Sequence, residues 1–337
     1  MNLLSIVMNI LITGCAGFIG SNLSERLLKE NHKVVGIDNF DPYYPKALKE
    51  KNLQTCLSSN NFTFFQADIT DSDCFNLIND DIDCVVHLAA KAGVRASIEF
   101  PAEYTRCNIY GTQNLLEWMF RKRICKYIFA SSSSIYGENH TLPFSESQDV
   151  NETISPYAFT KKSGEILNYT YHHLYNIDTI NLRFFTVYGP RQRPDLAIRK
   201  FTNLINSGKP VTLYGDGSTS RDYTFIDDIV EGIISSIKLV TKSTNFFETI
   251  NLGSSSPITL AQLVTILGET LGKKPEVLYE KSQPGDATCT YADLTKAEKL
   301  LSYNPRTSFK EGIRRFVDWY LENEYVSITD YSSLVTR

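Results

Sequence analysis

A phenol and an ammonium one helical turn apart are the first residues here whose types and spacing suggest chemistry. The segment "ISPYAFTKKSGE" (154–165) puts Tyr157 and Lys161 at i and i+4, on one helix face and about 6 Å apart along the axis. Ser155 suits the N-cap and Pro156 the first turn, so a helix is expected to start just ahead of the pair. A tyrosine phenol titrates near pH 10, and a base useful near pH 7 needs about 4 kcal/mol of extra phenolate stabilisation. Lys161 and the helix N-terminus both push that way. Such a pair also occurs on ordinary amphipathic helices, so its meaning depends on partners. One partner is "FASSSSIYG" (129–137), where four serines close an apolar run. Another is "RFFTVYGPRQRPD" (183–195), with three arginines, two prolines and a glycine. That composition makes a stiff, positively charged loop suited to an anion.

A third pattern lies near the start. "TGCAGFIG" (13–20) spaces Gly14, Gly17 and Gly20 between an apolar strand and a helix, with Phe18 and Ile19 inside the turn. Glycines there permit a tight turn and close backbone approach to a pyrophosphate, which the helix N-terminus favours. A second strand ends in Asp38, whose carboxylate suits ribose hydroxyls and repels a 2′-phosphate, so NAD is expected rather than NADP. Asp68 and Ile69 in "ADIT" are further candidates beside the adenine. A cationic nicotinamide ring near Tyr157 would lower the phenol further.

Stepping outward, the positioning elements are apolar runs at 8–13, 33–38, 62–68, 84–90, 126–132 and 178–185. Helical patterns at 18–30, 101–121, 156–175, 196–207, 227–240, 259–271 and 308–322 follow or separate them. Continuous apolar strands alternating with helices predict an α/β fold, a Rossmann-like doubly wound parallel sheet with both faces covered. The serine run and the glycine turn then fall at the C-terminal edge of the sheet, where such folds place ligands. From about residue 186 turn-rich segments interrupt the helices. The expected division is a NAD-binding domain over 1–185 and a smaller α/β substrate lobe over 186–325. Returns to the sheet are expected near 226–230 and 249–253, with a frayed tail at 326–337.

Composition narrows the classes. The 337 residues carry a formal net charge of −4 and no basic block, which disfavours nucleic acid and membrane surfaces as partners. No apolar run approaches the roughly 18–20 residues needed to span a bilayer. Seven scattered cysteines without CxxC spacing fit reduced thiols in a cytoplasmic protein. His87, His172 and His173 lack metal-ligand spacing and read as structural; no metal is expected.

Together these motifs resemble the extended short-chain dehydrogenase/reductase superfamily, especially its nucleotide-sugar epimerases. The resemblance runs from "ILITGCAGFIGSNL" through "HLAAKAGVR" and "SPYAFTKKSGE" to "QPGD" and "YNPRTSFKEGIRRFVDWY". It implies Ser132, Tyr157 and Lys161 as the catalytic set, Arg221 on a UDP diphosphate and Asp286 on the nucleotide. Related galactose epimerases usually carry Arg at the Gln283 position. The resemblance also implies a homodimer built through the helices near 101–121 and 156–175.

The resemblance separates reactions too. Related dehydratases and UDP-glucuronate decarboxylases carry acids where this chain has Ser133 and Ser134, leaving 4-epimerisation as the expected outcome. Thr186 followed by "VYGPRQRPDLA" resembles UDP-glucuronate 4-epimerases, whereas UDP-galactose 4-epimerases carry Asn at that position. A sugar carboxylate needs hydroxyl and guanidinium donors. Thr186 and Arg193 are therefore expected to hold it, with Ser133, Ser134 and Arg95 in support. Arg191 is the weaker candidate, fitting a diphosphate or solvent. The competing expectations are a 4-epimerase of neutral or N-acetylated UDP-hexoses and a UDP-glucuronate decarboxylase. A non-catalytic NAD-binding protein is disfavoured by the complete Ser–Tyr–Lys set.

Overall fold

The computed structural model describes residues 7–139, 141–281 and 289–324. Its first half alternates strands and helices. In chain order they are β1 (Asn9–Thr13), α1 (Phe18–Lys29), β2 (Lys33–Asp38), α2 (Lys46–Leu57), β3 (Phe62–Gln66) and β4 (Cys84–His87). There follow α3 (Val94–Glu99), α4 (Pro101–Thr105), α5 (Gly111–Lys122), β5 (Lys126–Ser132), α6 (Pro156–Tyr175) and β6 (Asp178–Phe184).

The second half adds β7 (Thr186–Tyr188), α7 (Ala197–Asn206), β8 (Val211–Tyr214), β9 (Ser220–Phe225) and α8 (Ile226–Lys242). It continues with β10 (Phe247–Leu252), β11 (Pro257–Thr259), α9 (Leu260–Leu271), β12 (Val277–Glu280), β13 (Cys289–Thr290), α10 (Thr295–Leu301) and α11 (Phe309–Glu324).

Seven parallel strands form the central sheet in the order β10-β6-β5-β4-β1-β2-β3. The order reverses between β1 and β4, which opens a crevice at their C-terminal ends. Registers place Thr13 beside His87 and Ser132 beside Phe184, so four strand ends face that crevice together. The unbroken apolar runs are explained by alternate burial. Ile10, Ile12, Ile128 and Ala130 pack into one core, while Leu11, Tyr127 and Phe129 pack into the other on the opposite face.

The return near 249–253 is the seventh strand, β10. Near 226–230 the chain opens α8 instead, a helix lying against β5 and β6. Its isoleucines (226, 229, 233, 234 and 237) are buried there, and that density of apolar residues suits a helix covering a sheet face. The helical pattern at 101–121 resolves into α4, one π-helical turn over Arg106–Tyr110, and α5. The smaller lobe contains β7, β11 and β13 around β9, and a β8–β12 pair. Gln283, Asp286 and the tail at 326–337 lie outside the described residues.

Candidate active site

The end of β5 is fastened to one face of α6. Ser155 caps that helix, its side chain accepting from the Ala158 N–H, with Pro156 in the first turn. Tyr157, Lys161 and Glu165 then stand at i, i+4 and i+8. The phenol of Tyr157 is hydrogen-bonded to Ser132. Lys161 Nζ donates to the Ala130 carbonyl at 2.7 Å, and Glu165 Oε1 accepts from Ser131 Oγ at 2.6 Å. Glu165 also receives both edges of a two-point contact from Arg183 of β6, at 2.9 Å each. Arg183 reaches Tyr136 at 3.0 Å, whose hydroxyl donates to Asn251 at 2.7 Å. The three strand residues that end in Ser132 are thus each held by α6.

Electrostatics here differ from the sequence expectation. Loss of water raises the Tyr157 phenol above its ordinary value, and only Ser132 and the Arg193 charge pull it down. Burial pushes the Lys161 ammonium down to about 8; it sits 5.1 Å over the Phe129 ring. In the ligand-free protein Lys161 therefore holds the strand through the Ala130 carbonyl.

A cavity of about 630 Å³ joins this pair to the glycine turn. Gly14, Gly17, Phe18, Ile19, Gly20, Asp38 and Ile69 line it. A Cβ at Gly20 would stand 2.2 Å from the Gly14 carbonyl oxygen, and Gly14 itself has φ of 75°, so the turn admits only glycine at these points. Asp38 is buried; its oxygens accept from Ala16 N–H at 3.1 Å and Phe40 N–H at 2.8 Å. Burial raises its carboxyl, opposed by those N–H groups and by Lys49. The cradle fits a dinucleotide: backbone close enough for a diphosphate, and an acid beyond the second strand for a ribose. Asp68 is not among the residues lining the cavity, although Asn39, Ala67 and Ile69 beside it are. It caps its own turn, accepting from Thr70 N–H at 2.8 Å and Asn39 at 2.9 Å. The sequence shows an acid at a strand end but not which way it turns.

At the other end of the same cavity stand Ser132, Ser133, Ser134, Thr186 and Arg193. Arg193 makes a two-point contact with Asp195, 3.0 Å from Nε and 2.7 Å from Nη2. Arg191 and Arg193 have different fates. Arg191 is ion-paired with Glu25 of α1, and Asn22 of the same helix donates to the Pro190 carbonyl at 3.2 Å. Arg191 is therefore a fastener, outside the cavity lining. Arg95 is exposed with its guanidinium 5.5 Å from the Tyr214 ring, and Arg221 donates to the Ser220 carbonyl at 2.9 Å. Neither belongs to the lining of this cavity.

Sequence reasoning missed several neighbours. Tyr43, Lys91, Tyr104 and Leu196 line the cavity. Asn108 bridges Lys91 N–H at 2.8 Å and Thr160 Oγ1 at 2.9 Å from inside the π-helical turn, a distortion that helical periodicity does not reveal. His87 is buried, with both ring nitrogens hydrogen-bonded. Thr112 Oγ1 donates to the Asn108 carbonyl, so it accepts from His87 Nε2–H, while Nδ1 accepts from Thr13. Burial drives this imidazole down to about 3. No group of metal-binding side chains occurs among the described residues, and none of their helices is long and apolar enough to cross a membrane.

A Rossmann-like sheet, a glycine cradle at its switch point and a Ser–Tyr–Lys set on β5 and α6 define an extended short-chain dehydrogenase/reductase. The chain belongs to the GDP-mannose 4,6 dehydratase family, whose sequence profile matches residues 11–316. It is 45% identical to a UDP-glucuronate 4-epimerase of Thermodesulfobacterium geofontis over 93% of this chain and 96% of the relative. Its fold is similar to the crystal structure of UDP-glucuronic acid 4-epimerase from Bacillus cereus in complex with UDP-glucuronic acid and NAD. That pair has TM-score 0.87 and 39% identity, covering 94% of this chain and 99% of the other. A UDP-glucose 4-epimerase from Thermotoga maritima, solved with UDP-glucose, is 32% identical with TM-score 0.84, covering 94% and 99%.

Proposed function

We propose that the protein is a UDP-glucuronate 4-epimerase, interconverting UDP-glucuronate and UDP-galacturonate with tightly held NAD. The observation that carries this reading is the company Tyr157 keeps. Ser133, Ser134, Thr186 and the Arg193 guanidinium line its cavity, offering three hydroxyls and a cation; related dehydratases and decarboxylases carry acids at positions 133 and 134. Hydroxyl and guanidinium donors suit a carboxylate.

NAD, which Gly14, Gly17, Gly20 and Asp38 would hold, would supply transient hydride acceptance at C4 of the sugar and its return to the opposite face. Tyr157 receives the proton of the C4 hydroxyl and gives it back, so no net redox change remains. Ser132, hydrogen-bonded to Tyr157, orients that hydroxyl. Lys161 keeps the end of β5 in register with α6. Arg193 and Thr186 hold the C5 carboxylate, whose fixed orientation suppresses loss of CO₂ from the 4-keto sugar.

In this reading residues 1–185 hold NAD and residues 186–325 hold mainly the nucleotide sugar, with Arg221 on the diphosphate and Asp286 on the nucleotide. Exposed Tyr110 and Phe120 within 101–121, and Phe159, Ile166 and Tyr169 on α6, support a homodimer formed across these helices. Scattered cysteines support a cytoplasmic location.

The test supplies UDP-glucuronate, UDP-glucose and UDP-N-acetylglucosamine separately, without added NAD, and follows product stereochemistry and CO₂ by NMR. UDP-galacturonate should form from the uronate alone. Turnover of only the neutral sugars, or CO₂ as the main product, would overturn the reading.

A further inference from the structure

We propose that Asp195 is a positioning residue that presets the Arg193 guanidinium for a ligand carboxylate. The inference rests on the uronate reading above and adds the group that determines the geometry of its recognition.

A guanidinium has five N–H donors arranged along two forks. Asp195 takes the Nε–Nη2 fork, accepting at 3.0 Å on Oδ1 and 2.7 Å on Oδ2. Tyr43 supports the arrangement twice. Its hydroxyl donates to Asp195 Oδ2 at 3.3 Å, and its ring lies 5.3 Å from the guanidinium carbon of Arg193. Among the described residues the guanidinium makes no other hydrogen bond, so its Nη1–Nη2 edge is unclaimed, on a side chain that lines the Tyr157 cavity. That edge matches a planar carboxylate end-on.

Two roles for Asp195 give opposite signs. A competing counter-ion would have to be displaced by the substrate, so its removal would tighten uronate binding. A positioning group leaves the free fork available and fixes its direction, so its removal would loosen binding. The occupied edge decides for positioning, because Asp195 and a ligand carboxylate use different forks. The lever is short: Pro194 separates the two residues and restricts the backbone between them.

The test uses the full-length protein and the near-isosteric variant Asp195→Asn, with Asp195→Glu as the conservative control. KM and kcat for UDP-glucuronate are measured, and UDP affinity is measured by calorimetry. Asp195→Asn should raise the uronate KM by about tenfold while UDP affinity stays within roughly twofold. Asp195→Glu should recover part of the loss. An unchanged or lowered KM, or an equal loss of UDP affinity, would overturn the assignment. Wild-type protein inactive on UDP-glucuronate would instead overturn the functional reading, and the assignment with it.

Discussion

Lys161 and Ala130 are joined by a 2.7 Å hydrogen bond, ammonium to carbonyl, across the gap between α6 and β5. The lysine that sequence spacing aims at Tyr157 is therefore anchored to the strand that carries Ser132. In the proposed reading its contribution to chemistry runs through that geometry.

Lys161→Met should accordingly lower turnover on the order of a hundredfold or more. The ionisation of Tyr157 in the ligand-free protein should nevertheless stay where it is. The near-ultraviolet absorbance of each protein, minus that of its Tyr157→Phe counterpart, reads that ionisation directly. A clear upward shift in the lysine variant would mean the ammonium acts through space after all.

The Arg183–Glu165 pair is buried, with side chains 4% and 6% exposed. Removing one partner strands the other, so Glu165→Gln should destabilise the protein by about 3–5 kcal/mol in denaturant titrations. Adding Arg183→Met should restore a good part of it. Purely additive losses would show that the two do not act as a pair.

Gly20→Ala should abolish copurification of NAD, because its Cβ would meet the Gly14 carbonyl oxygen at 2.2 Å. Nucleotide content by absorbance and extraction checks this. Normal occupancy would show that the turn can open at little cost.

His87 gives a pH dependence with a defined sign. Its pKa falls from about 6.5 in an unfolded chain to about 3 in the folded protein. Between those values the unfolded state binds the extra proton, so this residue's contribution to stability is whole above pH 6.5 and disappears towards pH 3. One such proton is worth about 1.4 kcal/mol per pH unit. His87→Gln should flatten the acid limb of unfolding free energy against pH by that slope. An identical limb would refute the buried neutral imidazole.

Much of this molecule was legible in the sequence because its sheet is covered on both faces. Strands buried from two sides must be continuously apolar, and β2 and β5 fall on the expected 33–38 and 126–132. Ser155 and Pro156 mark the start of α6 by residue type alone. The short elements of the second lobe were less legible: β7, β11 and β13 have two or three residues each, too few for a period. α2 escaped notice since its buried set includes Lys49 and Asn52, so it lacks a clean apolar face. Within the site, sequence identified groups and spacing but not directions. Asp68 faces its own turn, Lys161 faces the strand, and Arg191 and Arg193 diverge.

That divergence has a practical side. Because Arg191 moors the loop to the first helix of the sheet, the neighbour two places on does not carry that attachment and engages Asp195 and Tyr43 beside the cavity. Specificity engineering can therefore exchange Arg193 and Asp195 together for neutral side chains and change which sugars are accepted, while the mooring at Arg191 is retained.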